Sequence, residues 1–232
     1  MKLKIGDVIK RILDEEYKID ENEFTIFRVN RTSLFEFLIG VILSQNTSDR
    51  NAMKAFENLR EKLGRITPHG IIEAGAERVS EWIKPAGMHR IRSQVILELA
   101  RIFSNEGFEK NLIELIGKSD TDSSRKILLE FPGIGDKTAD VTLLMFFGKP
   151  VFPVDTHIRR ITKRLGYVEG GRYVEISRFW ATNTSPQNYL TLHLLLITHG
   201  RRVCRAVKPQ CINCPLLEYC QLGRRVVSHG SR

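Results

Sequence analysis

Apolar residues recur at helical spacing along almost the whole chain, and Gly or Pro interrupts them at short intervals, which admits a set of short helices and little else. Val8, Ile9, Ile12 and Leu13 share one face; Phe35, Leu38, Ile39 and Ile42 repeat it; Ile91, Val95, Leu97, Leu99 and Ile102 give a looser version. Breaks fall at Gly64 to His69, Pro85 to Gly87, Pro132 to Gly135, Gly148 to Pro153, Gly166 to Gly171 and Pro186. Alternating strand patterns are scarce. The expectation is an all-α fold of about ten helices, forming one compact body with a cysteine-rich C-terminal extension.

At 232 residues the chain can bury one large core or two modest ones. With 42% hydrophobic and 27% charged residues, the composition is that of a soluble globular protein. No apolar run approaches the roughly 20 residues that span a bilayer. The N-terminal MKLKIGDVIKRIL breaks its apolar stretches with charges, so no signal peptide and no membrane association are expected. The protein is expected inside the cell, in prokaryotic cytoplasm or nucleoid. Its net charge of +9 suits a polyanionic partner, because each phosphate neutralised by Lys or Arg releases counterions. The last 34 residues hold seven of the basic residues against one acid, Glu218, and so carry +6 of the +9.

All four cysteines, Cys204, Cys211, Cys214 and Cys220, lie within 17 positions with the spacing C-x6-C-x2-C-x5-C. Disulfides are the weakest explanation for a long intracellular chain. A metal explains them better, and spacing alone leaves zinc and an iron-sulfur cluster both open. The loop between the first two thiols, RAVKPQ, would present Arg205 and Lys208 outward to a phosphate backbone.

Leu129 to Asp140 reads LEFPGIGDKTAD. A helix ending there, with Asp122 or Ser123 placed to cap its start, is followed by Pro132, Gly133 and Gly135 and then by a second apolar helix. Together these predict a helix hairpin over about 123–147, whose glycines permit positive φ and close backbone approach. The amides that open the second helix would suit a phosphate. Lys137 falls in the first turn of that helix, where the positive end of the dipole disfavours an ammonium and favours a nucleophilic amine. Schiff-base chemistry needs such an amine.

Further on, Pro153-Val154-Asp155-Thr156-His157 precedes the helical IRRITKRL. Asp155 is well placed as the N-cap of that helix. A carboxylate held by backbone amides stays ionised and could also support positive charge building on a sugar. His157 reads as a packing or phosphate-contacting residue.

FPGIGDKTAD, VDTH and the four-cysteine spacing, in that order and at these separations, resemble the endonuclease III family of helix-hairpin-helix DNA glycosylases. The resemblance runs from about Phe35 to Cys220. It implies a six-helix barrel over 28–149 and a cluster domain built from 1–27 and 150–232, with a [4Fe-4S] cluster held by the four cysteines of the 204–220 loop. It also implies a monomeric enzyme of base excision repair, acting on double-stranded DNA that contains damaged bases or abasic sites. Lys137 would attack C1′ of an oxidised pyrimidine nucleotide, Asp155 would be the catalytic carboxylate, and β-elimination would nick the strand.

A base in a duplex must be flipped out, and the gap it leaves must be filled. LSQNTSD supplies Gln45, Asn46 and Thr47 for this, and GMHR supplies Met88 and His89. The family's best-known bacterial members place glutamine where this chain has Asn46, and leucine where it has Met88. With Gly133, Gly135, His157, Arg205 and Lys208, these complete the expected DNA contacts. Two other readings stay open: the same fold acting on mismatched T or U, methylcytosine or an oxidised purine, and a non-catalytic DNA-binding module.

Overall fold

The structure, a computed structural model, describes residues 3–20, Phe24, Val29 and 32–229. Among these residues it holds twelve α-helices and no strand. The chain forms two compact units, residues 20–149 and residues 1–19 with 150–232, where helical spacing alone suggested one body. The expected boundary between 27 and 28 lies outside the described residues.

The unit of residues 20–149 carries α2 (Leu34–Ser44), α3 (Asp49–Leu63), α4 (Pro68–Trp82), α5 (His89–Phe103), α6 (Phe108–Lys118), α7 (Thr121–Leu129) and α8 (Asp136–Met145). Its centre is α2, which is buried on every side from Leu34 to Leu43. At about 1.5 to 3 kcal/mol for each large apolar side chain, this helix alone accounts for much of the unit's hydrophobic drive. Ser33 starts α2 by accepting from the Glu36 amide at 3.2 Å. Ser48 starts α3 by accepting from the Asn51 amide at 3.3 Å.

Two sequence expectations fail in this unit. The cap of α7 is Asp120, not Asp122 or Ser123: its carboxylate accepts from both of their amides at 2.9 Å and from the Ser123 hydroxyl at 2.7 Å. The buried face of α5 is the stripe Arg92, Ile96, Leu99 and Phe103, while Ile91 stands 65% exposed. Leu97 and Leu99 are buried as the spacing predicts, while an arginine, not Ile91, occupies the first buried site.

The other unit carries α1 (Ile5–Glu16), α9 (Thr156–Leu165), α10 (Tyr173–Asn183), α11 (Tyr189–Arg202) and α12 (Gln221–His229). Here α11 is the central helix, buried from Leu192 to Gly200. The N-terminal helix joins through Asp7, whose carboxylate accepts from the Ser185 amide at 3.0 Å, the Ser185 hydroxyl at 2.7 Å and Asn188 Nδ2 at 2.8 Å. These bonds hold the Asp7 carboxyl below its ordinary range despite the opposing effect of burial. The Trp180 indole packs against Phe152 and donates to the Thr162 hydroxyl at 2.8 Å, linking α10 to α9.

Candidate active site

Within residues 20–149, α7 and α8 form the expected hairpin. Arg125 Nε of α7 donates to Asp140 Oδ1 of α8 at 2.7 Å, and Asp140 is fully buried. Breaking that pair would strand a charge in the core. The turn between the helices needs glycine at Gly133, where φ is +74° and an added Cβ would lie 2.5 Å from Val95 Cγ1. Gly135 differs from expectation: its backbone is extended, with φ −101° and ψ −179°, and nothing lies within 4 Å of where a Cβ would stand. What glycine supplies there is open space at the start of α8. The N-cap residue, Gly135, has no side chain to cap that helix. Lys137, half-buried, stands in its first turn.

Two turns in this unit carry the remaining candidates. At the end of α2, Gln45 Nε2 donates to the Gly133 carbonyl at 2.8 Å and to Thr138 Oγ1 at 3.0 Å. That contact ties Gln45 to the hairpin. Asn46 beside it is exposed and left-handed, with φ +51°. At the start of α5, Met88 is also left-handed, with φ +49°, and is 58% exposed. Thr47 is half-buried, and His89 Nδ1 pairs with the Ser80 hydroxyl at 2.8 Å. Positive φ is costly for a side chain such as methionine and concentrates at functional positions. Among the described residues three non-glycines adopt it, Asn46, Met88 and Lys208, and all three are positions the sequence marks for DNA contact.

Within the other unit, Asp155 is the N-cap of α9 and accepts from the Ile158 amide at 2.7 Å. The extended segment before it is anchored at its backbone: the Ser177 hydroxyl donates to the Phe152 carbonyl at 2.8 Å, and His193 Nδ1 meets the Pro153 carbonyl at 3.0 Å. Val151, Phe152 and Val154 are buried beneath it. One carboxylate oxygen of Asp155 is thus engaged at the helix start on a rigid approach. His157 packs against Gly200, where a Cβ would come within 2.7 Å of its own, and its Nδ1 lies 3.0 Å from Arg160. Burial holds its pKa below the ordinary histidine value, as befits a neutral packing residue.

The four cysteines form no disulfide and line one recess, walled also by Val203, Leu217, Leu222 and Arg164. Among the described residues no three His, Cys, Asp or Glu side chains converge as ligands of a single metal ion. Nitrogen donors reach two of the sulfurs, Arg164 Nη1 to Cys204 Sγ at 3.4 Å and the Gly223 amide to Cys220 Sγ at 3.3 Å, and His199 Nε2 pairs with a third, Cys214 Sγ, at 3.7 Å. Burial, reinforced by the neighbouring sulfurs, pushes the Cys214 thiol up to about 11. A cationic centre in the recess would reverse that balance.

The loop over this recess is braced from α9. Arg160 Nε donates to the Cys204 carbonyl at 2.9 Å, and Arg164 donates to the Arg205 and Ala206 carbonyls at 2.6 and 2.9 Å. Arg205 and Lys208 therefore stand exposed on a supported loop. Sequence reading missed Arg92, Arg160 and Arg164. The signal was available for Arg92, a cation three and four positions from Val95 and Ile96 in an apolar pattern.

A glycine-turned helix hairpin with a lysine in the first turn of its second helix is the architecture of a helix-hairpin-helix protein. The family model for HhH-GPD superfamily base excision DNA repair proteins matches residues 39–182. Endonuclease III of Sulfolobus acidocaldarius is 38% identical over 94% of this chain and 96% of its own length. A solved structure of a non-covalent endonuclease III–DNA complex superposes with a TM-score of 0.76 at 30% identity, covering 96% of this chain and 98% of that one. A trapped covalent endonuclease III–DNA intermediate gives a TM-score of 0.76 at 29% identity over the same shares. The chain belongs to the HhH-GPD superfamily and, within it, to the endonuclease III family.

Proposed function

We propose that this protein is a bifunctional DNA glycosylase and abasic-site lyase of base excision repair, acting on oxidised pyrimidines in duplex DNA. The observation that carries the reading is Lys137 in the first turn of α8, directly after the glycine turn. The amides of that helix start receive a backbone phosphate next to the nucleotide the amine attacks. In its free-amine form, Lys137 Nζ bonds to C1′ as the glycosidic bond breaks and the base departs with the bonding pair and a proton. The ring opens to an imine. Loss of a C2′ proton then expels the 3′ phosphate oxygen and leaves a nick. Asp155 supports the positive charge that develops on the sugar as the base leaves. Asn46 and Met88 fill the gap left by the flipped nucleotide, and residues 28–149 supply the barrel that carries them.

The four thiols suit a [4Fe-4S] cluster: they are the chain's only cysteines, they share one largely apolar recess, and nitrogen donors point at two of the sulfurs. The cluster would hold the Arg205–Lys208 loop in shape and supply no hydrolytic step. Purified protein is expected to be brown, with about four irons and four sulfides per chain. One zinc per chain would contradict the assignment.

The whole reading is tested with a panel of duplexes carrying single lesions, scored separately for base release and for nicking. Thymine glycol and related oxidised pyrimidines are expected to give both products. A protein that releases only mismatched thymine, or binds without releasing any base, would favour the other readings.

A further inference from the structure

We propose that Arg92 is a positioning residue that locks the two DNA-probing turns to each other and to the catalytic hairpin. Its guanidinium is buried, with the residue 5% exposed. Nη1 donates to the carbonyls of Ala86 and Gly87, both at 2.7 Å, and Nη2 donates to the carbonyl of Gln45 at 2.6 Å. Gly87 and Gln45 are the residues immediately before Met88 and Asn46. One planar cation therefore grips both turns at the peptide that leads into each left-handed tip. The Gln45 side chain continues the connection to the Gly133 carbonyl and Thr138 Oγ1, at the start of the helix that bears Lys137.

The physical need for such a clamp is specific. Left-handed backbone at Met88 and Asn46 is costly for residues that carry a side chain, and persists where its surroundings fix it. Three charge-assisted bonds to main-chain oxygens provide that restraint, and a fork with several fixed N–H directions can span two turns at once. A lysine at this position offers a single point of charge. With the clamp in place, the two tips reach into the helix as one rigid wedge, in fixed register with the hairpin. Without it each tip relaxes toward right-handed or extended backbone, and the everted nucleotide is held open less of the time. This proposal rests on Asn46 and Met88 being the gap-filling side chains.

The test compares Arg92→Lys and Arg92→Met with the parent protein on two substrates under single-turnover conditions. One is a thymine-glycol duplex; the other is a single-stranded oligonucleotide with an abasic site, where no gap needs filling. Excision from the duplex is expected to fall at least tenfold, while nicking of the single strand stays within twofold. Binding to a duplex with a tetrahydrofuran abasic analogue flanked by 2-aminopurine is expected to give a smaller fluorescence rise than in the parent. Adding either Arg92 change to the Asn46→Ala, Met88→Ala double variant is expected to cost less than a further twofold.

Equal losses on both substrates would mean general damage and overturn the proposal. So would unchanged duplex excision, or full multiplication of effects in the triple variant. If Arg92→Met does not fold, Arg92→Lys, which keeps charge and bulk, decides the outcome alone. Parent protein that processes neither substrate would instead remove the glycosylase reading itself, and the clamp with it.

Discussion

Lys137→Ala is expected to lose strand nicking at an abasic site by at least about a thousandfold, and to lose base release with it, because one amine makes the first bond of both reactions. The fold gives little reason for a structural side effect. Lys137 neither caps α8 nor belongs to its buried set of Thr138 to Leu143 and Met145, and alanine is the best helix former at such a site. The check is single-turnover kinetics on a thymine-glycol duplex and on a pre-formed abasic duplex, beside a far-ultraviolet circular dichroism spectrum matching the parent. A variant that still nicks at the parental rate would remove Lys137 from the chemistry.

Asp155→Asn is expected to slow base excision by about 10² to 10⁴-fold while leaving helix content and thermal midpoint close to the parent. The choice of asparagine separates the two roles of the residue. Asn caps a helix as well as Asp, so its oxygen can still accept from the Ile158 amide, and only the negative charge is lost. Asp155→Ala would remove the cap too, at about 1 kcal/mol, and would confuse the comparison. Full excision by the Asn variant would reduce Asp155 to a cap.

How much of this was legible beforehand follows from the range of each interaction. Asp155 as a cap and the break at Pro132-Gly133 depend on bonds to residues a few positions away, and the sequence shows both partners. The four cysteines announce themselves by their spacing. The tie from Gln45 to the hairpin was not legible because its partners, Gly133 and Thr138, are 88 and 93 residues downstream. Arg92 was overlooked for the same reason: one of its carbonyl partners is 47 positions away, and a cation in an apolar stripe looked like an interruption of the pattern. Gly135 was credited with positive φ because it shares a turn with Gly133, yet its extended backbone shows that adjacency in a glycine-rich turn does not fix conformation. Asp120 took the cap from Asp122 because an aspartate at that position meets two amides and a hydroxyl at once.

The covalent step is the core of the chemistry proposed for this chain, and it leaves a mark that can be located. Reducing a mixture of the protein and an abasic-site duplex with borohydride, digesting it, and mapping the deoxyribose-bearing peptide by mass spectrometry shows which amine formed the imine. The expected result is a single modified peptide containing Lys137, absent in Lys137→Ala. An adduct on another lysine, or no adduct from protein that nicks the same duplex, would contradict the assignment of Lys137 as the nucleophile.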